Sequence, residues 1–153
     1  MTREDGWWMI RVPELVDSFD GEPVLTQAHG LIGVDPMARE LISLVAHVPS
    51  SEIALGLNIE LPADDRDDER LTEKSGPVEI EIDGEIFTVT VHQPGEFSYD
   101  WNTGPNDYGF GSGVRSVGGP VPQEHLYPPL SVHRDSCARF LAQIDPDTGY
   151  LAD

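Results

Sequence analysis

Five histidines, one cysteine and 28 carboxylates are the groups in this chain with chemistry to offer. The histidines, His29, His47, His92, His125 and His133, are widely separated, and no two have the spacing that holds a metal ion from one helix or turn. His29 follows an extended run and His47 closes a helical one, where an imidazole serves structure. Cys137 stands alone, which rules out an intrachain disulfide and a cysteine zinc cluster and fits a reducing compartment. It sits inside an apolar helical pattern and reads as a small core residue. The acidic run at 64–69 offers oxygen ligands, but it lacks the glycine and the closing bidentate carboxylate of a calcium loop. Asp145-Pro146-Asp147-Thr148-Gly149 reads as a helix stop. Gly109-Phe110-Gly111-Ser112-Gly113 is not followed by an apolar helix, so it reads as a flexible loop and not a phosphate cradle, and no nucleophile elbow is present. Nothing in the sequence brings two carboxylates together as acid and base. The expectation is a chain with no catalytic residues, no cofactor and no metal.

Charge is the outstanding compositional feature. Nine Lys and Arg face 28 Asp and Glu, a net charge of −19. Phosphate contacts need clustered cations, and Lys74 and the arginines are scattered, so direct nucleic-acid binding and anionic membranes are disfavoured. The acidic residues are spread over the whole chain. They suit solubility, a basic partner, or mimicry of nucleic acid. Arg3, Glu4 and Asp5 precede only a short apolar-rich run, no signal peptide is visible, and no run reaches membrane-spanning length. A cytoplasmic protein is expected.

The elements that would position these groups fall into two sets. An aromatic ribbon opens the chain, with Trp7, Met9 and Arg11 on one face and Trp8, Ile10 and Val12 on the other. A turn at 17–23 leads to a second strand at 24–28. Asp35 and Pro36 suit the start of a helix whose apolar stripe is Met37, Leu41, Leu44, Val45 and Val48, stopped by Pro49. Ile53, Leu55, Leu57, Ile59 and Leu61 alternate as a strand does. The charged stretch 64–76 reads as a solvated linker. Beyond it, 78–82 and 86–91 flank Asp83-Gly84, the preferred pair for a two-residue hairpin. Phe97, Tyr99 and Trp101 share one face of a third strand, and 108–111 suits a fourth. Residues 111–130 are rich in glycine and proline and predict an irregular excursion. Ser131 suits the cap of a last helix with the stripe Cys137, Phe140, Leu141 and Ile144.

The opening stretch Gly6-Trp7-Trp8-Met9-Ile10-Arg11-Val12-Pro13-Glu14-Leu15, then Leu25-Thr26-Gln27-Ala28, then Met37-Ala38-Arg39-Glu40-Leu41-Ile42, resembles the HicB family of antitoxins. The likeness covers residues 6–61. It implies a degenerate, catalytically dead RNase H-like fold that binds and neutralises a small basic mRNA-cleaving toxin and often oligomerises. The β-rich, acidic second half is unlike the DNA-binding ends common in that family.

The sequence therefore predicts an α+β chain of two small modules, each an antiparallel sheet packed by one helix: 1–63, HicB-like and partial RNase H-like; a linker at 64–76; and 77–153. Its function is expected to be non-enzymatic sequestration of a basic protein partner, with Trp8, Arg11, Glu14 and Gln27 at the surface and Trp7 in the core. The alternatives are an acidic inhibitor or nucleic-acid-mimicking decoy of a host enzyme, and a structural or assembly protein reusing the fold. Only five residues precede the tryptophan strand. An open sheet edge is expected there, filled by a strand of the second half or of another subunit.

Overall fold

The computed structural model describes residues 2–4, 7–16, 21–116 and 118–152, with side chains from residue 7 onward. Residues 17–20 of the turn expected over 17–23, and position 117 of the irregular excursion, lie outside the described residues. The fold is α+β, as the mixture of alternating and helical patterns predicts. The chain forms two compact units, residues 1–61 with 138–153 and residues 62–137.

The first unit carries an antiparallel sheet in the order β1 (Thr2–Glu4), β2 (Trp7–Val16), β3 (Pro23–His29). The expected open edge is thus partly closed by the chain itself. Thr2 pairs with Met9 and Glu4 with Trp7, and three residues suffice for a short edge strand. Across the ribbon Trp7 faces His29, Trp8 faces Ala28, Met9 faces Gln27 and Arg11 faces Leu25, and the register slips between Val12 and Val16. Helix α1 (Val34–Ala46) begins after Gly33, a residue held at φ 86. Asp35 is not its cap. It lies inside the first turn, buried, and its carboxylate accepts from the Arg39 guanidinium one turn on.

α1 covers the Trp8 face with Val34 and Ala38, which are buried together with Ile10, Ala28 and Leu31. The stripe expected to be core does not turn inward: Met37, Leu44, Val45 and Val48 are exposed. The small residues of α1 allow its close approach to the sheet, and its larger apolar residues point elsewhere. Phe140, Leu141 and Ile144 complete the buried set of this unit, with the Gly33 amide donating to the Ile144 carbonyl at 2.9 Å. The strand expected over 53–61 does not form. A single 3-10 turn, Ser50–Glu52, leads into a stretch that joins no sheet among the described residues.

The second unit is a four-stranded antiparallel sheet in sequence order: β4 (Val78–Ile82), β5 (Glu85–Gln93), β6 (Glu96–Trp101) and β7 (Gly109–Gly113). Asp83 (φ 55) and Gly84 (φ 85) make the tight turn that the Asp-Gly pair predicts. The buried face carries Ile80, Ile82, Phe87, Val89, Phe97, Tyr99 and Trp101. The excursion beyond β7 includes a short helix, α2 (Gln123–Leu126), and α3 (Leu130–Ala142) follows, its last residues belonging to the first unit.

Most of the charged stretch 64–76 is exposed, but it is tied to the second unit at several points. Leu71 is fully buried, and Arg70 bridges to Pro129. The carbonyls of Glu69 and Asp67 accept the amides of Leu130 and Ser131 at the start of α3. Backbone carbonyls therefore cap this helix, and Ser131 lies within it. Arg134, buried on α3, donates to Asp67 Oδ1 at 2.6 Å and to the Pro62 carbonyl at 3.0 Å. The division of the chain consequently differs from 1–63 and 77–153: residues 62–76 build the second unit, and residues 138–153 build the first.

A candidate protein-binding face on the first unit

The tryptophan ribbon presents one apolar face to α1 and one to solvent. Which residue lies on which side is the reverse of the expectation. Trp8 is fully buried and Trp7 is 45% exposed. The reason is in the company each keeps across the strands. Trp8 lies level with Ala28 and shares its face with Ile10 and Val12, a surface a helix can cover. Trp7 lies level with His29 and shares its face with Arg11 and Gln27, whose polar groups need water.

The outward face is therefore built from Trp7, Met9 and Arg11 of β2 and Leu25, Gln27 and His29 of β3. Trp7 and His29 meet edge to face, with ring centres 5.1 Å apart. The Gln27 amide rests on the Met9 sulfur at 3.2 Å. Leu25 is exposed beside Arg11. An exposed indole with one imidazole, one thioether and one guanidinium around it is an amphipathic surface of the kind that anchors protein interfaces.

Of the residues singled out from the sequence, Arg11 and Gln27 lie on this face and are exposed. Glu14 is exposed in the irregular stretch between Val12 and Val16. Trp8 is a core residue and leaves the set. Trp7, Met9, Leu25 and His29 join it. The cross-strand register would have identified them, because the apolar Ala28 can sit opposite only one of the two tryptophans.

Groups with chemical potential in the second unit are arranged differently. On the solvent face of the sheet His92 Nε2 and Ser98 Oγ are 2.9 Å apart. Among the described residues no carboxylate bonds this imidazole, so the pair lacks the orienting group of a nucleophile–base arrangement. Under the opposite face, His133 of α3 is fully buried. Its Nδ1 lies 2.8 Å from the Tyr99 hydroxyl, and its Nε2 has no partner among the described residues. Burial pulls the His133 pKa down to about 4 and raises those of Tyr99 and Cys137. All three are neutral at pH 7, a packed polar cluster inside a core. Asp67 is held below the usual carboxylate range by the Asp64 backbone amide and by Arg134. Among the described residues no three His, Cys, Asp or Glu side chains group to hold a metal ion. Among the described residues no helix is long and apolar enough to cross a membrane.

No protein family, curated protein or solved structure matches this chain.

Proposed function

We propose that the chain is a non-enzymatic protein-binding module. Its N-terminal unit sequesters a basic protein partner, in the way that a HicB-like antitoxin neutralises a small mRNA-cleaving toxin. The observation that carries this reading is the solvent-facing Trp7, set among Met9, Arg11, Leu25, Gln27 and His29 on a sheet whose other face is closed by α1. An indole left in water on a sheet face contributes most when a partner covers it. The net charge of −19 supports a cationic partner, whose approach it would accelerate and whose surface it would complement. Exposed Met37 and Leu44 on α1 add apolar area on the same unit.

The test is co-expression with a small basic mRNA-cleaving protein from the same genome. The intact chain is expected to co-purify with that protein and to relieve its toxicity. Trp7→Ala is expected to fold normally and to lose both properties. If the intact chain neither binds nor relieves toxicity, the reading is wrong, and competition with duplex DNA for a host enzyme would support the acidic-decoy alternative.

A further inference from the structure

β7 is an edge of the second unit's sheet, with β6 on one side and no strand on the other among the described residues. Its register decides which backbone groups are left at that edge. The Trp101 amide donates to the Tyr108 carbonyl, and the Val114 amide to the Gly95 carbonyl. Between these two bonds the pairs Tyr99–Phe110 and Phe97–Ser112 share their phase in the antiparallel ladder. Gly109, Gly111 and Gly113 fall in the other phase, so their amides and carbonyls point away from β6. Gly111 and Gly113 are exposed, and among the described residues no backbone–backbone hydrogen bond from outside the sheet reaches them.

Glycine stands at all three outward positions, and the fold itself needs only one of them. A Cβ at Gly109 would strike the Tyr99 carbonyl oxygen. At Gly111 it would meet only the Phe97 carbonyl oxygen at an ordinary 3.7 Å, and at Gly113 nothing within 4 Å. Glycine inside a strand weakens it and often marks the close approach of another backbone. Hollows flank the same edge. One of about 290 Å³ is lined by buried Phe97 and Tyr99 and by exposed Val114 and Val132. It has room for one large apolar side chain. A wider one, about 640 Å³, is lined by His92, Ser98, Gly111 and Gly113. Glu96 and Asp100, cross-strand from Gly113 and Gly109, are exposed on the face of Ser98, and Arg115 lies past the end of β7.

We propose that the outer edge of β7 takes an extended, basic peptide segment of a partner protein as a fifth strand of this sheet. Backbone pairing with Gly111 and Gly113 attaches the segment, and strand alternation sorts its side chains. Apolar side chains enter the hollow beside Phe97 and Tyr99. Those between them lie on the side of Glu96 and Asp100, which select lysine or arginine. A second copy fits less well. Its β7 offers only Phe110 and Ser112 as side chains, Phe110 is already stacked on Tyr99 with ring centres 4.3 Å apart, and the same carboxylates would come with it. The site lies wholly within the second unit, so it does not depend on what the tryptophan face binds.

Amide hydrogen exchange on the full chain tests this, with a synthetic peptide of alternating Lys and Val as the probe. In the free protein Gly111 and Gly113 should exchange about tenfold or more faster than Phe110 and Ser112, whose amides face β6. The peptide should slow both glycines by about tenfold or more. Methylating the peptide's backbone nitrogens along one edge should abolish binding, and along the other should leave it intact. Gly113→Ala keeps the donor and should bind as the parent does, whereas Gly113→Pro removes it and should weaken binding by roughly tenfold or more. Val132→Asp, at an exposed wall of the apolar hollow, should fold normally and weaken binding by a similar factor. Slow exchange of both glycines in the free protein would overturn the proposal, as would equal protection by an alternating Glu and Val peptide. Binding that survives methylation of either edge, or that ignores Val132→Asp, would overturn it too. Glycine protection that rises with protein concentration in the absence of peptide would overturn it in favour of a second copy.

Discussion

Adjacent tryptophans in one strand have opposite fates here, and the difference is measurable. Trp8 is fully buried, opposite Ala28 and on the face of Ile10, so Trp8→Ala should cost about 3–5 kcal/mol of unfolding free energy. Trp7→Ala removes a half-exposed ring and should cost less than about 1 kcal/mol in the isolated protein. Urea titration of both variants checks the assignment; similar losses would mean the two faces are misassigned. His133 supplies a second residue-scale expectation. Its folded pKa, near 4, lies below the ordinary 6.5. Between those values the unfolded chain binds a proton that the folded chain refuses. The stability associated with neutral, buried His133 is thus complete above pH 6.5 and is lost as pH falls toward 4. Replacing it by Phe should remove a pH-dependent loss on the order of 3 kcal/mol over that window, read as the difference between the two proteins' unfolding curves. The carboxylates contribute to acid sensitivity in both and drop out of the difference.

Elements here were legible to the degree that their signals were local. The β4–β5 hairpin follows from Asp83-Gly84 between two alternating runs, and both residues adopt positive φ as that turn requires. β7 depends on its first glycine in a way the sequence only hinted at. At Gly109 the neighbouring strand comes so close that a Cβ would collide with the Tyr99 carbonyl oxygen. Gly109→Ala should therefore push β7 off β6 and destabilise the protein by about 2 kcal/mol or more, with protection from exchange lost first at 109–113. Helix α1 shows the limit of periodicity. The pattern of Met37, Leu41, Leu44 and Val48 marks an apolar stripe correctly and says nothing about what covers it. In the structure most of it faces solvent, because the sheet is met by the smaller Val34 and Ala38. The run at 53–61 shows the same limit for strands: alternation was readable, yet the run joins no sheet of the described residues.

On the scale of the whole molecule, charge dominates. A chain with −19 spread over both units repels itself, and salt screens that repulsion. Raising NaCl from about 0.05 to about 0.5 M should stabilise the fold by roughly 1 kcal/mol or more. A melting temperature indifferent to salt would show that local ion pairs such as Arg134–Asp67 offset the repulsion. The division into units also emerges only here. The acidic stretch 64–76 looked solvated because its sequence carries almost no apolar pattern. Yet Leu71 is buried within the second unit, and its carbonyls cap α3. A backbone carbonyl leaves no mark in a sequence, so neither this cap nor the partition that follows from it was readable.

The sequence by itself determined the α+β class, the hairpin, the two faces of the ribbon and the acidity, because each follows from side-chain period, turn chemistry or composition. Only the tertiary structure decided that Trp8 is core and Trp7 is surface, that residues 2–4 pair with the tryptophan strand, that the tail from 138 belongs with the N-terminal unit, and that residues 53–61 join no sheet of the described residues. These depend on which surfaces meet. That is a property of pairs of elements far apart along the chain, and local patterns constrain it weakly.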